Sequence, residues 1–351
     1  SSAAGAGSRW RGLGRGLRKV PYWGLCAFGV LPGGTHSIWR WYGHLMLLLA
    51  FLCTALLVGR AAQDPSELHM GLIDILCAIC CCASVITLRH MQIGRLLGPH
   101  LPLLESYALD HGFLDSWHRR SAQASLAVLL IWACDVSLRM FTNSQLDEEP
   151  CPFFLAAYAF MSGLFAAVTY SHLTVCGALG LMVDGFCSRF FSHPDCQRGI
   201  CEWNVLQAIL RRSASTIDTS LLAMQTAVLA ALPLMGADIL LSSGAREQGW
   251  AVWLASGLLP SLPKVLLVFH CSARAACVSE KCTRVPALVN SIVVESLGPM
   301  DPERQYLVQY MQHCNAGFYI KGVRLTSFMV VKVAYIALMV AASLATQAHI
   351  L

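Results

Sequence analysis

The sequence predicts an all-α, polytopic membrane protein with seven transmembrane helices, and three observations support this. Of its 351 residues, 56% are hydrophobic and 13% are charged, whereas soluble domains usually carry about 25% charged residues. Seven segments have the roughly 20 mostly apolar residues that a spanning helix needs. Lys and Arg residues fall almost entirely in alternate connecting segments. The solvent of this chain is therefore predicted to be mostly lipid.

The predicted spans lie where apolar residues run on with few interrupting charges. Their bounds are 41–58, 72–88, 122–138, 153–183, 221–241, 250–269 and 327–346. The fourth segment is longer than an upright helix needs, so it either tilts strongly or continues beyond the bilayer. It contains no Asp, Glu, Lys or Arg and no turn signal. We therefore predict seven spans and not eight.

The placement of basic residues predicts the orientation of the chain. Twenty Lys and Arg residues lie in the N-terminal stretch and in the loops after spans two, four and six. The opposite side holds three, Arg60, Arg139 and Arg246. Because basic loops stay in the cytoplasm, the N-terminus is predicted to be cytoplasmic and the C-terminus extracellular. G-protein-coupled receptors have the opposite orientation, so this pattern argues against that class.

The predicted cytoplasmic loops contain apolar residues at helical spacing. Two such sets are Leu96, Leu97, Leu101, Leu103, Leu104, Tyr107 and Leu109, and Val205, Leu206, Ile209 and Leu210. An apolar helical face needs a partner surface, which predicts a cytoplasmic helical anchor layer. The alternative interpretation is that these helices lie on the lipid interface.

Two stretches carry a resemblance to a known family. Residues 22–32 (YWGLCAFGVLP) resemble the segment that precedes the first span in insect odorant and gustatory receptors. Near the C-terminus, the spacing from Gly322 to Gln347 resembles the glycine-to-glutamine spacing of the gustatory receptor signature. Val340 and Ala341 replace the Thr-Tyr pair of that signature, and Ala348 replaces its final Phe. The chain therefore resembles a divergent member of the insect gustatory and odorant receptor superfamily.

That resemblance implies a homotetrameric, ligand-gated, non-selective cation channel of the plasma membrane, permeable to monovalent and divalent cations. The last span of each subunit would line the pore. Gln347 and Leu344 fall where the family has its outer gate, and Ser343 and Val340 continue the same helical face. A polar amide ring can replace part of an ion's hydration, and a leucine ring can close a pore by excluding water.

The resemblance also implies domain roles and a site for a small organic ligand. Residues 1–40 would form a cytoplasmic segment with a re-entrant or amphipathic helix, 41–270 spans one to six, 271–326 cytoplasmic anchor helices, and 327–351 the pore helix and tail. Aromatic walls with a few polar groups suit a small ligand, and the candidates by depth are Trp132, Asp135, Tyr158, Asp238 and Trp253. For each Trp and Tyr, interfacial anchoring is the alternative interpretation.

Ionisable residues within spans are functional candidates. Asp135 and Arg139 stand four residues apart and are expected to pair with each other. Asp74, at the start of span two, is expected to reach the headgroups. Lys264, in the inner part of span six, is expected to extend its ammonium group to the interface.

Other function classes have little support in the sequence. It has no HExxH, GxSxG or phosphate-binding glycine loop, so no catalytic residue and no cofactor are predicted. The cysteines of span two, at 77–82, are expected to pack within the membrane. The two groups in predicted cytoplasmic loops, at 187–201 and 271–282, lack CxxC spacing, so no metal site is predicted. The modest net charge of +5 gives no reason to expect a nucleic-acid partner. The alternative function is a non-conducting scaffold or small-molecule carrier on the same seven-helix fold.

Overall fold

The structure is a computed structural model and describes residues 20–31, 37–63, 68–97, 103–145, 152–241, 261–291 and 301–350. These residues form eleven helices and one short hairpin. The elements are α1 (Val20–Ala27), α2 (Ser37–Gln63), α3 (Leu68–His90), α4 (Gly94–Leu97), α5 (Leu103–Asp110), α6 (Leu114–Gln145), α7 (Pro152–Ser192), α8 (Cys196–Leu241), α9 (Leu262–Ser291), α10 (Pro302–His313), β1 (Tyr319–Ile320), β2 (Val323–Arg324) and α11 (Ser327–Ile350).

Among these residues, five helices have the length and hydropathy of a membrane span. They are α2, α3, α6, α7 and α9, and α11 begins with a shorter apolar stretch, Ser327–Ile336. The predicted spans at 41–58, 72–88, 122–138 and 153–183 lie inside α2, α3, α6 and α7. The fifth predicted span is the C-terminal part of α8, and most of the sixth lies outside the described residues. The count of seven spans and the orientation stay predictions.

Helix α7 forms the centre of the bundle. At 1.5 Å per residue its 41 residues extend about 60 Å, roughly twice the hydrocarbon thickness of a bilayer. It packs against α2, α3, α6 and α9, and Phe165, Leu179, Met182 and Phe186 are fully buried along it. Because no residue interrupts the helix, α7 is one continuous element that is longer than an upright span needs.

Helix α8 extends from the bundle of apolar helices to α10 and the hairpin. Its N-terminal part packs against α10, and Trp203 and Leu206 are fully buried there. Phe190 lies so close that a Cβ atom on Gly199 would come within 2.9 Å of its ring. Of the predicted amphipathic set, Leu206 lies in the core whereas Val205 is exposed. The buried face of this helix therefore packs on protein.

A tight hairpin precedes the last helix. Strands β1 and β2 pair antiparallel across Lys321 and Gly322, whose φ angles are 48° and 82°. Two-residue hairpin loops with positive φ at both positions match the twist of their strands and favour glycine. The hairpin leads directly into α11, which begins at Ser327.

Candidate functional site

Four long helices bring ionisable side chains together at one end of the bundle. Asp74 lies in the first turns of α3, Asp135 and Arg139 lie towards the end of α6, and Lys264 lies in the first turn of α9. We call this the outer end, following the predicted orientation. With Tyr158 and Ser162 of α7, these four residues form what we call the outer charge cluster.

Lys264 lies at the centre of the outer charge cluster. Its Nζ donates a hydrogen bond of 2.9 Å to Tyr158 Oη and lies 3.7 Å from Asp135 Oδ2 and 3.6 Å from Asp74 Oδ1. Only 8% of the Lys264 side chain is exposed. An ammonium group this deeply buried is tolerated only when opposite charges and hydrogen bonds surround it.

Asp135 is held on both of its carboxylate oxygens. Tyr158 Oη donates to Oδ1 at 3.0 Å, and Ser162 Oγ donates to Oδ2. The residue is 1% exposed. These contacts fix the carboxylate between α6 and α7 and direct it towards Lys264 on α9.

Arg139 and Asp74 form the edge of the cluster. Arg139 Nη2 lies 3.3 Å from Asp74 Oδ2, and the guanidinium lies 5.3 Å from the centre of the Tyr158 ring. The four charges of the described side chains balance, two negative and two positive. This balance explains how they can share an interior flanked by apolar residues.

Three expectations about these residues are wrong. Arg139 was expected to pair with Asp135 on the same helix, but it pairs with Asp74 on α3. Asp74 was expected to reach the headgroups, but it is buried between two cations. Lys264 was expected near the inner interface, but it contacts Tyr158 at the outer end, because α9 runs from there to Ser291.

A small cavity adjoins the cluster. Its volume is about 10 Å³, which is room for one water molecule. It is lined by Leu57, Asp74, Cys77, Ala78, Tyr158, Met161, Ser162, Phe165 and Lys264. Any organic ligand must therefore move side chains in order to enter.

The structure brings two of the five predicted ligand residues together, Asp135 and Tyr158. Trp132 lies one turn before Asp135, but its indole N–H donates to Ala159 O at 3.1 Å and its ring packs beside Gly163. This contact gives Trp132 a packing role. Trp253 lies outside the described residues, and the side chain of Asp238 is likewise not among those described.

The cluster contains four residues that were not predicted as ligand candidates, Asp74, Arg139, Ser162 and Lys264. The three charged residues gave a signal, because a charged residue in an apolar segment is a functional candidate by default. Ser162 gave none, because serine is common in spanning helices.

The predicted pore residues lie on α11. Val340 and Ser343 are exposed in the single chain. Leu344 and Gln347 lie within the same helix, but their side chains are outside those described. Within the described part of the chain, no three His, Cys, Asp or Glu side chains group in a way that could hold a metal ion.

The fold and the apolar helices define a multi-pass membrane protein with the architecture of insect olfactory receptors. No family model matches the sequence, and no curated protein sequence matches it. Among solved structures, it is similar to the insect olfactory receptor OR5 from Machilis hrabei in complex with eugenol, with a TM-score of 0.63 and 10% identity over 93% of this chain and 98% of that one. A second OR5 structure gives a TM-score of 0.57 and 10% identity over 96% and 98%. These similarities confirm the predicted all-α, polytopic membrane fold.

Proposed function

We propose that the chain is a subunit of a ligand-gated cation channel of the plasma membrane and a divergent relative of insect odorant and gustatory receptors. The observation that carries the proposal is the outer charge cluster, which four long helices build inside an olfactory receptor fold. A buried, convergent set of polar groups with apolar walls is typical of a small-molecule site.

The proposed ligand is a small organic molecule that enters the outer charge cluster. OR5 was solved with eugenol, which supports this class of ligand. Because the cavity holds about one water molecule, the ligand must separate Lys264 from Asp135 or Asp74. Separation leaves buried charges without partners, so the ligand must supply hydrogen-bonding groups of its own.

The proposed pore is formed by α11 of four copies. Large apolar side chains on this helix are exposed in the single chain, among them Val331, Tyr335 and Met339. Such a face supports packing against lipid or against other copies. Gln347 and Leu344 would form the outer gate, continued along the helix by Ser343 and Val340, and hydrated cations would pass without strong selection.

The inner helices have a proposed role in assembly. Residues 271–326 include the C-terminal part of α9, all of α10 and the hairpin. We assign to them the anchor that joins the four subunits, with 41–270 as the ligand-binding bundle, 1–40 as a cytoplasmic segment and 327–351 as the pore helix and tail.

The test is electrical recording from cells that express the full chain alone. We expect a cation current evoked by small hydroxylated aromatics such as eugenol, and a changed conductance in Gln347→Ala, because the amide ring contacts the ions. Surface labelling controls for expression. A surface-expressed wild type that passes no current under any ligand, and that purifies as a monomer, contradicts the proposal and favours the carrier function.

A further inference from the structure

The hairpin before the last helix is tied to α9 by an arginine. Arg324 Nη2 lies 2.8 Å from Ser279 O, 2.7 Å from Thr283 Oγ1 and 2.9 Å from Ala316 O. All three acceptors are neutral, and they share the two N–H groups of this one nitrogen. Arginine holds this nitrogen in a rigid planar group, whereas a lysine ammonium sits on a flexible stem, so lysine is expected to keep these contacts only in part.

The same stretch of α9 holds the two ends of the hairpin. Phe318 N donates to Ser279 Oγ at 2.9 Å, just before β1. Ser327 N, at the first residue of α11, donates to Glu280 Oε1 at 3.2 Å. The first backbone N–H groups of a helix have no partner within the helix, and an acidic side chain there is stabilising. Consecutive residues of α9 therefore fix the entry and the exit of the hairpin.

The tip of the hairpin reaches α8. Lys321 Nζ lies 3.3 Å from Asp218 Oδ2 and donates to Thr219 Oγ1. We call the contacts made by Arg324, Glu280 and Lys321 the hairpin clasp. Because its two sides rest on different helices, a shift of α9 relative to α8 must rotate or strain the hairpin.

Helix α9 is common to the clasp and to the outer charge cluster. Lys264 and Ser279 are separated by fifteen residues, about 22 Å along the helix, without an interruption between them. A displacement of the outer end of α9 therefore reaches the clasp, and the clasp holds the first residue of α11.

We infer that Arg324, Glu280 and Lys321 are positioning residues for channel opening, and that the clasp transmits movement of α9 to the base of the last helix. This inference rests on the proposed gating function, which supplies the reason for α11 to move. Coupling between distant sites requires a physical element that both sites bias, and the clasp is that element here.

Coupling between the outer charge cluster and the base of α11 can be measured by amide hydrogen exchange, which needs neither a ligand nor a current. The double variant Lys264→Met/Asp135→Asn changes the outer end of α9 while keeping the described charges balanced. In purified full-length protein in lipid nanodiscs, we expect it to change amide hydrogen exchange over residues 328–336 by roughly threefold or more. Combined with Arg324→Gln, the same outer change is expected to have no effect there.

A purely structural role for Arg324 gives a different result. In that case Arg324→Gln raises amide exchange around the hairpin equally in the wild type and in the Lys264→Met/Asp135→Asn protein. The effect of the Lys264→Met/Asp135→Asn change on residues 328–336 then survives. Arg324→Lys is expected to retain part of the coupling. Lys281→Met is the matched control, because Lys281 neighbours Glu280 but pairs with Asp184 on α7, and the coupling should persist in this variant.

Two results overturn the inference. One is exchange over residues 328–336 that does not respond to the outer change, and the other is a response that survives Arg324→Gln. Electrical recording of the same variants tests the channel proposal separately. Intact coupling in a protein that passes no current refutes the channel function alone, whereas evoked current with no coupling refutes the clasp alone.

Discussion

The outer charge cluster and the hairpin clasp both bind α9 to neighbouring helices, but with different chemistry. In the cluster, charged groups neutralise one another in a buried setting. In the clasp, Arg324 contacts neutral acceptors, and the one ion pair there involves Lys321, whose side chain is 55% exposed. The cluster should therefore depend on the balance of charge, whereas the clasp should depend on geometry.

The strongest way to break the cluster is to remove its central cation. Lys264→Met leaves two carboxylates near a single described cation, and breaking a buried pair in this way costs about 3–5 kcal/mol. We expect a large drop in the thermal unfolding temperature of the purified protein.

The double variant Lys264→Met/Asp135→Asn is the control for charge balance. Replacing both members of a buried pair is often neutral, so it should unfold near the wild-type temperature. A single variant as stable as wild type would contradict the charge-balance account.

Tyr158→Phe removes one hydroxyl and leaves the ring in place. Lys264 loses an acceptor and Asp135 loses a donor, and hydrogen bonds to charged groups contribute about 1.5–3 kcal/mol. The unfolding temperature should fall clearly, but by less than in Lys264→Met. Tyr306→Phe, at an exposed position of α10, should have no effect. Equal effects of the two variants would argue against a role for the Tyr158 hydroxyl.

Gly317→Ala tests the geometry of the clasp without changing any charge. A Cβ atom there would lie 2.8 Å from Arg324 Nε, so the guanidinium must move from its three acceptors. We expect a loss of about 1–2 kcal/mol, as for other forced shifts of packed side chains. Gly177→Ala, where nothing lies within 4 Å of the new atom, should not destabilise the protein. A stable Gly317→Ala protein would show that the clasp is loose.

The smallest effect is expected at the hairpin tip. Lys321→Met removes an ion pair between an exposed lysine and Asp218, which is buried. Asp218 keeps the hydrogen bonds from Thr219 N and Thr219 Oγ1, so we expect a loss of about 1 kcal/mol, as for pairs with an exposed member. The difference in unfolding temperature between this variant and wild type should shrink further at high salt. A large fall in unfolding temperature that does not change with salt would show that Lys321, like Lys264, stabilises the fold as the partner of a buried charge.

Hydropathy predicted the helices well, because an uncharged apolar run of span length is typical of a helix that crosses a bilayer. It did not predict that the fifth span is the C-terminal part of a longer helix, α8, whose N-terminal part packs against α10. The residues between 211 and 221 are mostly polar but contain neither Gly nor Pro, so nothing there ends a helix, and only packing against α10 shows the continuation. Helix α9 likewise continues beyond the predicted end of span six at residue 269, as far as Ser291.

The members of the outer charge cluster were visible in the sequence, but their partners were not. Asp135 and Arg139 have the spacing of a pair within one helix, yet each finds its partner on another helix. That choice depends on helix rotation and on which helices are neighbours. Lys264 was misplaced because span six was predicted to end at residue 269. The helix instead begins at Leu262, so Lys264 lies near its first residue and at the opposite end from the one predicted.

The central claim is that the outer charge cluster receives the ligand that opens the channel. The most direct measurement is the ligand-evoked current of Lys264→Met/Asp135→Asn, at matched surface expression and with a wild-type unfolding temperature. We expect a current reduced by roughly tenfold or more, because the ligand loses the charged groups that would hold it. A dose–response curve that matches wild type would contradict it.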